Sequence, residues 1–251
     1  MPKQRKHSKP APGKLVTVDN RKIHVYSEGE GENTYVFLSG SGTRYPTNDF
    51  KPLWSLLVDD SKIVVVERAG YGWSDISDDV SRDIGTVLSE TREALRQADI
   101  LPPYILVPHS LSGIEAVYWA QTHPSEVKAI IGLDVGIADY YVSANFRLGL
   151  VNFLGKIGIF TSDMMNEVDY IRSNAEKILA GDFPTDVPVY FFISNSRPKG
   201  VNWGEMLVEY SKRFTINKHM FTNCGHYVHR FKPQEIANEI KTFMNEQNKT
   251  T

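Results

Sequence analysis

The chain has 251 residues and a formal net charge of −2, with 41% hydrophobic and 23% charged residues. This balance is ordinary for a folded globular protein and gives no reason to expect binding to nucleic acid or to an anionic membrane. The single cysteine excludes an internal disulfide and a metal site built from several cysteines.

Residues 1–13 form a basic tail that contains prolines and no acidic residue, and we expect this tail to be disordered. The tail lacks the apolar core of a signal peptide, and no stretch reaches the roughly 20 apolar residues of a membrane span. We therefore expect a cytoplasmic protein.

Short apolar runs alternate with amphipathic stretches along the rest of the chain. We predict strands at residues 15–18 and 23–26, which form a hairpin, and at 34–38, 63–66, 104–107, 127–133, 187–193 and 216–221. We predict helices at residues 51–58, 82–98, 114–120, 202–213 and from 233 to about 245. This alternation predicts an α/β fold, in which residues 14–135 and 186–251 form a mostly parallel sheet covered on both faces, with antiparallel N-terminal strands.

Residues 136–185 contain no strand pattern. Phe146, Leu150 and Phe153 share one helical face, and a second face follows. The second face consists of Met164, Val168, Ile171, Ala175 and Ile178. We predict a helical cap inserted between two strands, with Phe146, Leu150 and Phe153 as the candidate substrate-binding residues. Plain packing of these helices against the sheet is the alternative.

One serine lies between a buried strand and a helix, in the stretch Val-Pro-His-Ser-Leu-Ser-Gly at residues 107–113. This layout is typical of a nucleophile elbow, in which Ser110 sits on a strained turn at the carboxyl end of a strand. Pro108 and Ser112 stand where glycines usually do, and Gly113 permits the close approach one position later. A serine that only caps the helix is the alternative.

Three strand ends carry the groups that nucleophilic catalysis needs. Ser110 follows one strand, Asp134 ends another, and His226 lies in a glycine-containing loop after a third. Ligands of open α/β sheets bind at the carboxyl ends of the strands. A serine hydroxyl needs a base to take its proton, and the base needs a carboxylate to orient it. The chain order Ser, Asp, His is that of the α/β hydrolases.

A fourth strand end supplies the loop Ser-Gly-Ser-Gly at residues 39–42. Its flexible backbone could direct an N–H group at a developing oxyanion. We expect the oxyanion hole to combine the N–H of Leu111 with that of Ser41 or Gly40.

The sequence resembles an α/β-hydrolase from Gly13 to the last helix. Residues 39–42 match the oxyanion loop of this family, with Ser39 in place of the usual histidine, and residues 68–74 match its R-x-G-x-G-x-S loop. Residues 108–113 match its elbow, and residues 225–229 match its catalytic-histidine loop. The resemblance implies a cap domain over the site and a serine hydrolase of the carboxylesterase type (EC 3.1.1), which acts on a small-molecule acyl substrate without a metal or cofactor.

The position of the acid departs from the common family pattern. Most members carry the acid after the penultimate strand, but residues 193–199 contain no carboxylate. Some members, haloalkane dehalogenases among them, place the acid after the strand that precedes the cap, where this chain has Asp134. Asp139 is the main rival, Glu205 lies further along the chain, and His229 is the rival for the base.

Several alternatives stay open. The carboxylates Asp163, Glu167 and Asp169 would suit a peptidase of the proline-iminopeptidase type, whose cap holds a substrate amine. Acyl transfer, thioester cleavage and cofactor-free perhydrolysis can use the same triad, and a receptor can use the same fold.

Glu115 lies either on a solvated face or in a buried pair with Arg68. The natural substrate, the oligomeric state and a membrane anchor ahead of the first strand, known from similar bacterial hydrolases, are also left open.

Overall fold

The computed structural model describes residues 10–77, 80–143, 160–195 and 201–249. Within these ranges the chain forms an eight-stranded sheet with helices packed on both faces. Among the helices of the described residues, none combines the length and the apolar character that a membrane crossing requires.

The sheet follows the predicted plan. Its strands are β1 (Lys14–Val18), β2 (Arg21–Glu28), β3 (Asn33–Leu38), β4 (Ser61–Glu67), β5 (Tyr104–Pro108), β6 (Val127–Leu133), β7 (Val189–Ile193) and β8 (Asn217–Phe221). Their spatial order is β1-β2-β4-β3-β5-β6-β7-β8. β2 pairs antiparallel with β1 and β4, and the remaining neighbours are parallel. The prediction of a mostly parallel sheet with antiparallel N-terminal strands is confirmed.

The helices connect the strands and cover them. They are α1 (Pro46–Trp54), α2 (Ile84–Gln97), α3 (Ser112–Thr122), α4 (Ala138–Ser143), α5 (Ser162–Asp169), α6 (Ile171–Leu179), α7 (Trp203–Ser211), α8 (Val228–Phe231) and α9 (Pro233–Asn248). Asp83 caps α2 by accepting hydrogen bonds from the N–H groups of Gly85 and Thr86, so this helix begins two residues later than predicted.

Side chains alternate across the sheet and fill two cores. In β3, Val36 and Leu38 belong to the core that includes α2 and α3, whereas Tyr35 and Phe37 belong to the core that includes α1 and α9. Because both faces are buried, the central strands appear in the sequence as continuous apolar runs. This continuity explains why the sequence pattern located them.

The first helix and the first hairpin differ from the prediction in their bounds. The helix predicted at residues 51–58 begins instead at Pro46. Proline suits the first turn of a helix, because an N–H group at that position would have no partner within the helix. The hairpin turn contains only Asp19 and Asn20, with φ of 48° and 62°. Two consecutive residues with positive φ form the tight turn that matches strand twist, so residues 21 and 22 belong to β2.

The described part of residues 136–185 is helical, as predicted. The second predicted apolar face is buried, and most of it lies in the core that also contains the apolar side chains of α3. These buried residues are Met164, Val168, Ile171, Ala175 and Ile178. Helix α6 also contacts α3 and α4 directly. The predicted substrate-binding residues Phe146, Leu150 and Phe153 lie outside the described residues.

Candidate active site

Ser110 occupies a strained turn between β5 and α3. Its φ is +55°, a conformation that a residue with a side chain adopts only at a cost. The Ser110 carbonyl accepts hydrogen bonds from the N–H groups of Gly113 at 3.0 Å and Gly136 at 2.7 Å, which hold the turn in this shape. The geometry is that of a strand–turn–helix elbow with the serine at its apex.

Ser112 and Gly113 explain how the elbow forms without the usual glycines. The Ser112 hydroxyl lies 2.6 Å from the carbonyl oxygen of Leu38 and thereby ties the elbow to the end of β3. A Cβ atom at Gly113 would lie 2.4 Å from the Gly136 carbonyl oxygen. Gly113 therefore permits the close contact between α3 and the loop after β6.

Asp134 and His226 form a hydrogen-bonded pair at the same edge of the sheet. The distance from His226 Nδ1 to Asp134 Oδ2 is 2.6 Å, a hydrogen-bond distance between an acid and its histidine. Asp134 is fully buried, whereas 37% of the His226 side chain is exposed. The His226 ring packs 4.6 Å from that of His109, which immediately precedes Ser110 in the chain.

Two residues that the sequence analysis did not single out hold Asp134 in place. Ser194 donates to its carboxylate from the backbone N–H at 2.9 Å and from the hydroxyl at 2.6 Å. The indole Nε1 of Trp203 donates at 2.8 Å. Ser194 follows β7, in the segment where the family pattern led us to look for the acid, and this segment instead supplies hydrogen-bond donors to Asp134.

The structure places the rival acids and the rival base away from the pair of Asp134 and His226. Asp139 pairs with the guanidinium of Arg213 at 2.5 Å and 3.0 Å, and Glu205 lies in the first turn of α7. His229 is fully buried, and its Nε2 lies 2.9 Å from Asp49 Oδ2. Burial lowers the pKa of His229 to about 3, with a smaller effect from His226. Of the two histidines in this loop, His226 is the accessible one.

Asp49, His109 and His229 form a buried group whose potential ligand atoms lie within 4.8 Å of one another. The guanidinium of Arg230 also contacts Asp49, so a cation already matches the charge of this carboxylate. Burial lowers the pKa of His109 well below its ordinary value, and His109 Nε2 lies 3.2 Å from the His226 carbonyl oxygen. These contacts tie the histidine loop to the elbow and to α1.

The loop at residues 39–42 lies directly against the nucleophile. A Cβ atom at Gly40 would lie 2.8 Å from Ser110 Cβ, so only a glycine fits here without displacing the loop. Gly42 has a φ of +75°, and a Cβ atom at this position would lie 2.7 Å from the ring of Phe160. Gly40 is therefore adjacent to Ser110, and the half-buried Phe160 ring lies beside Gly42 in the same loop.

The charged residues left open by the sequence analysis are mostly buried and paired. Arg68 Nη1 donates to Glu115 Oε2 at 2.8 Å, so Glu115 lies in a buried pair and not on a solvated face. Glu167 is buried and accepts from the Tyr71 hydroxyl at 2.5 Å. Asp163 is also buried, and of the three carboxylates considered for binding a substrate amine only Asp169 is exposed.

Comparisons with known proteins support the fold more strongly than any particular activity. No family model matches the chain. The uncharacterized protein YbdG of Bacillus subtilis is 53% identical over 131 residues, which are 52% of this chain and 40% of that protein. The chain spans about half or less of the length of the first three curated relatives that it matches.

A relative with a stated activity aligns over most of both chains. The cis-3-alkyl-4-alkyloxetan-2-one decarboxylase of Shewanella oneidensis is 24% identical in an alignment 280 positions long, which covers 91% of this chain and 86% of the enzyme.

Two solved structures superpose over nearly the whole chain. One is of a protein inferred to be an ancestral haloalkane dehalogenase, with a TM-score of 0.70, 11% identity, and coverage of 94% of this chain and 99% of that one. The other is of a bacterial membrane phospholipase A, with a TM-score of 0.68, 15% identity, and coverage of 94% and 86%. Together with the sheet order and the elbow, these matches show that the chain has the α/β-hydrolase fold.

Proposed function

We propose that the protein is a serine hydrolase that cleaves an ester or a related acyl bond of a small to medium, partly apolar substrate. The main support is the 2.6 Å contact between His226 and the buried Asp134, at the sheet edge where Ser110 occupies its strained turn. A buried carboxylate paired with a half-exposed imidazole is the arrangement that a serine nucleophile requires.

In the proposed mechanism, the Ser110 hydroxyl oxygen attacks the substrate carbonyl carbon while His226 accepts the hydroxyl proton. Asp134 keeps the His226 ring in the required tautomer and stabilises the imidazolium. The N–H of Leu111 and that of Ser41 or Gly40 stabilise the oxyanion. His226 then donates its proton to the leaving group. Water attacks the acyl-enzyme through the same base, and this step releases the acid and regenerates Ser110.

Two of the compared proteins support an acyl substrate. The Shewanella relative is named for an alkyl-substituted oxetan-2-one, which is a cyclic ester, and one structural neighbour is named as a phospholipase. The aromatic ring of Phe160 beside the oxyanion loop supplies an apolar surface close to the reacting carbonyl. We therefore extend the proposal to substrates with an alkyl or acyl chain, bound under a helical cap formed by residues 136–185.

The peptidase alternative has less support than the esterase. Asp163 accepts a hydrogen bond from the Ser77 N–H at 2.7 Å, and Glu167 is paired with Arg68 and Tyr71. Neither of these two carboxylates is exposed to bind the amine of a substrate, and of the three candidates only Asp169 is exposed.

The test compares wild-type protein with Ser110→Ala on a panel of substrates. The panel contains p-nitrophenyl acetate, butyrate and octanoate, proline p-nitroanilide, and a dialkyl oxetan-2-one whose products separate ester hydrolysis from release of CO₂. We expect ester turnover that falls by about 10⁴-fold or more in Ser110→Ala. Amide cleavage alone would favour the peptidase, CO₂ release would favour a decarboxylase, and a protein that turns over none of the panel would contradict the proposal.

A further inference from the structure

Arg68 lies buried behind the elbow, where it contacts three separate elements. Its Nη1 donates to Glu115 Oε2 on α3 at 2.8 Å, and its Nη2 donates to the Ser39 carbonyl oxygen at 2.9 Å. Its Nε lies 3.1 Å from Glu167 Oε1 on α5. One side chain thus joins the oxyanion loop, the helix that follows the nucleophile and a helix of the proposed cap.

The contact with Ser39 fixes the direction of a peptide group. In a trans peptide the C=O and N–H point in opposite directions. An Arg68 bond to the Ser39 carbonyl therefore directs the N–H of Gly40 away from the guanidinium. The next carbonyl, that of Gly40, accepts from the Thr43 N–H at 3.4 Å. This bond directs the N–H of Ser41, which belongs to the same peptide group, away from Thr43.

The contact with Glu115 ties Arg68 to the helix that begins beside Leu111, the other expected oxyanion donor. Glu115 lies one helical turn after Leu111, whose N–H is the expected donor on the elbow side. Its second oxygen accepts from the Thr91 hydroxyl at 3.2 Å, so the Glu115 side chain is held from two directions. Arg68 therefore spans the two sequence-distant segments that supply the two donors.

The surroundings keep the Arg68 guanidinium charged and make its planar shape important. Burial by itself lowers the pKa of Arg68, but the carboxylates of Glu167 and Glu115 and the neighbouring Tyr71 raise it above the ordinary value. A guanidinium presents its donors in a fixed fork, which can serve three acceptors in different directions. A lysine ammonium carries the same charge without that fixed geometry.

We propose that Arg68 is a positioning residue that sets the spacing and direction of the oxyanion-hole donors. This proposal rests on the proposed hydrolase function. Arg68 should therefore affect the transition state and have little effect on substrate binding, because it orients the backbone N–H groups that stabilise the developing negative charge.

The test compares Arg68→Lys with Arg82→Lys as a matched control. Arg82 is fully buried in the same charged group, where it lies 2.7 Å from Glu90 and 3.6 Å from Glu167. In the described part of the chain it has no hydrogen bond to Ser39 or Glu115. Both substitutions keep the buried charge, so a purely structural effect should be similar in the two variants.

For Arg68→Lys we expect kcat on a p-nitrophenyl ester to fall by about 10²-fold with little change in KM, as for the loss of one oxyanion donor. Affinity for a trifluoromethyl ketone, whose tetrahedral adduct places an oxyanion in the hole, should fall by a similar factor. Arg82→Lys should retain the wild-type values. Equal losses in the two variants, or a wild-type kcat in Arg68→Lys, would overturn the proposal.

Hydrogen–deuterium exchange separates failure of this inference from failure of the proposed function. The peptide that covers residues 39–43 should exchange faster in Arg68→Lys than in Arg82→Lys, whether or not the protein hydrolyses esters. A wild-type protein without esterase activity would refute the proposed function alone. Equal protection of this peptide in both variants would refute the positioning role.

Discussion

Asp163 should make the stability of the protein depend on pH. The carboxyl group is fully buried in the first turn of α5, where Oδ2 accepts from the Ser77 N–H at 2.7 Å. Burial raises the pKa of Asp163 from 3.8 to about 6, although the Ser77 N–H and the charge of Arg82 oppose the change. Glu167 and Glu90, the other charged groups that face it, act in the same direction as burial.

The direction of the effect follows from where the proton is bound more tightly. The folded state holds the Asp163 proton up to about pH 6, whereas the unfolded state releases it near 3.8. The contribution of Asp163 to stability is therefore largest below pH 3.8, falls as the pH rises to about 6, and is constant above. One pKa unit is about 1.4 kcal/mol, so the loss is about 3 kcal/mol. Asp163→Asn mimics the protonated form of the carboxyl group and should therefore abolish this loss of stability.

The assay is thermal unfolding followed by circular dichroism between pH 4 and pH 8. Near pH 8 we expect the midpoint of Asp163→Asn to exceed that of the wild type by roughly 6–12 °C, and near pH 4 we expect the two to converge. Asp169→Asn, on the exposed side of the same helix, is the control and should follow the wild-type curve. Parallel curves for wild type and Asp163→Asn would show that burial does not perturb this carboxyl group.

Three further predictions concern the site. Asp134→Asn should lower ester turnover by about 10⁴-fold through the wrong imidazole tautomer, as measured by kcat; a loss below tenfold would contradict the assignment. Gly40→Ala should lower kcat by about 10²–10³-fold, because its Cβ would lie 2.8 Å from Ser110 Cβ; a wild-type kcat would contradict this packing. Phe160→Ala should change the relative kcat/KM for acetyl, butyryl and octanoyl esters, since the ring lies beside Gly42; an unchanged profile would remove Phe160 from the substrate pocket.

The sequence was informative where structure depends on local pattern. Strands buried on both faces appear as continuous apolar runs, so their positions along the chain and the fold class could be predicted. The pairing of Asp134 with His226 could be anticipated because both lie at carboxyl ends of strands, and because residues 193–199 offer no competing carboxylate.

The sequence was less informative where structure depends on contacts between distant segments. The donors to Asp134 come from Ser194 and Trp203, which are 60 and 69 residues away along the chain. Glu115 could not be assigned to a solvated face or to a buried pair, because its partner Arg68 lies 47 residues earlier. Such contacts are set by tertiary packing, and no periodicity in the sequence indicates them.

The most direct test of the central claim is covalent labelling with a fluorophosphonate, followed by intact-mass measurement and peptide mapping. A serine activated by a histidine and its carboxylate reacts with this reagent, whereas ordinary serines do not. We predict a single adduct on Ser110 in the wild-type protein, and no adduct in Ser110→Ala at the same reagent concentration. An adduct on another serine, or an unlabelled folded wild-type protein, would contradict the assignment of Ser110 as the nucleophile.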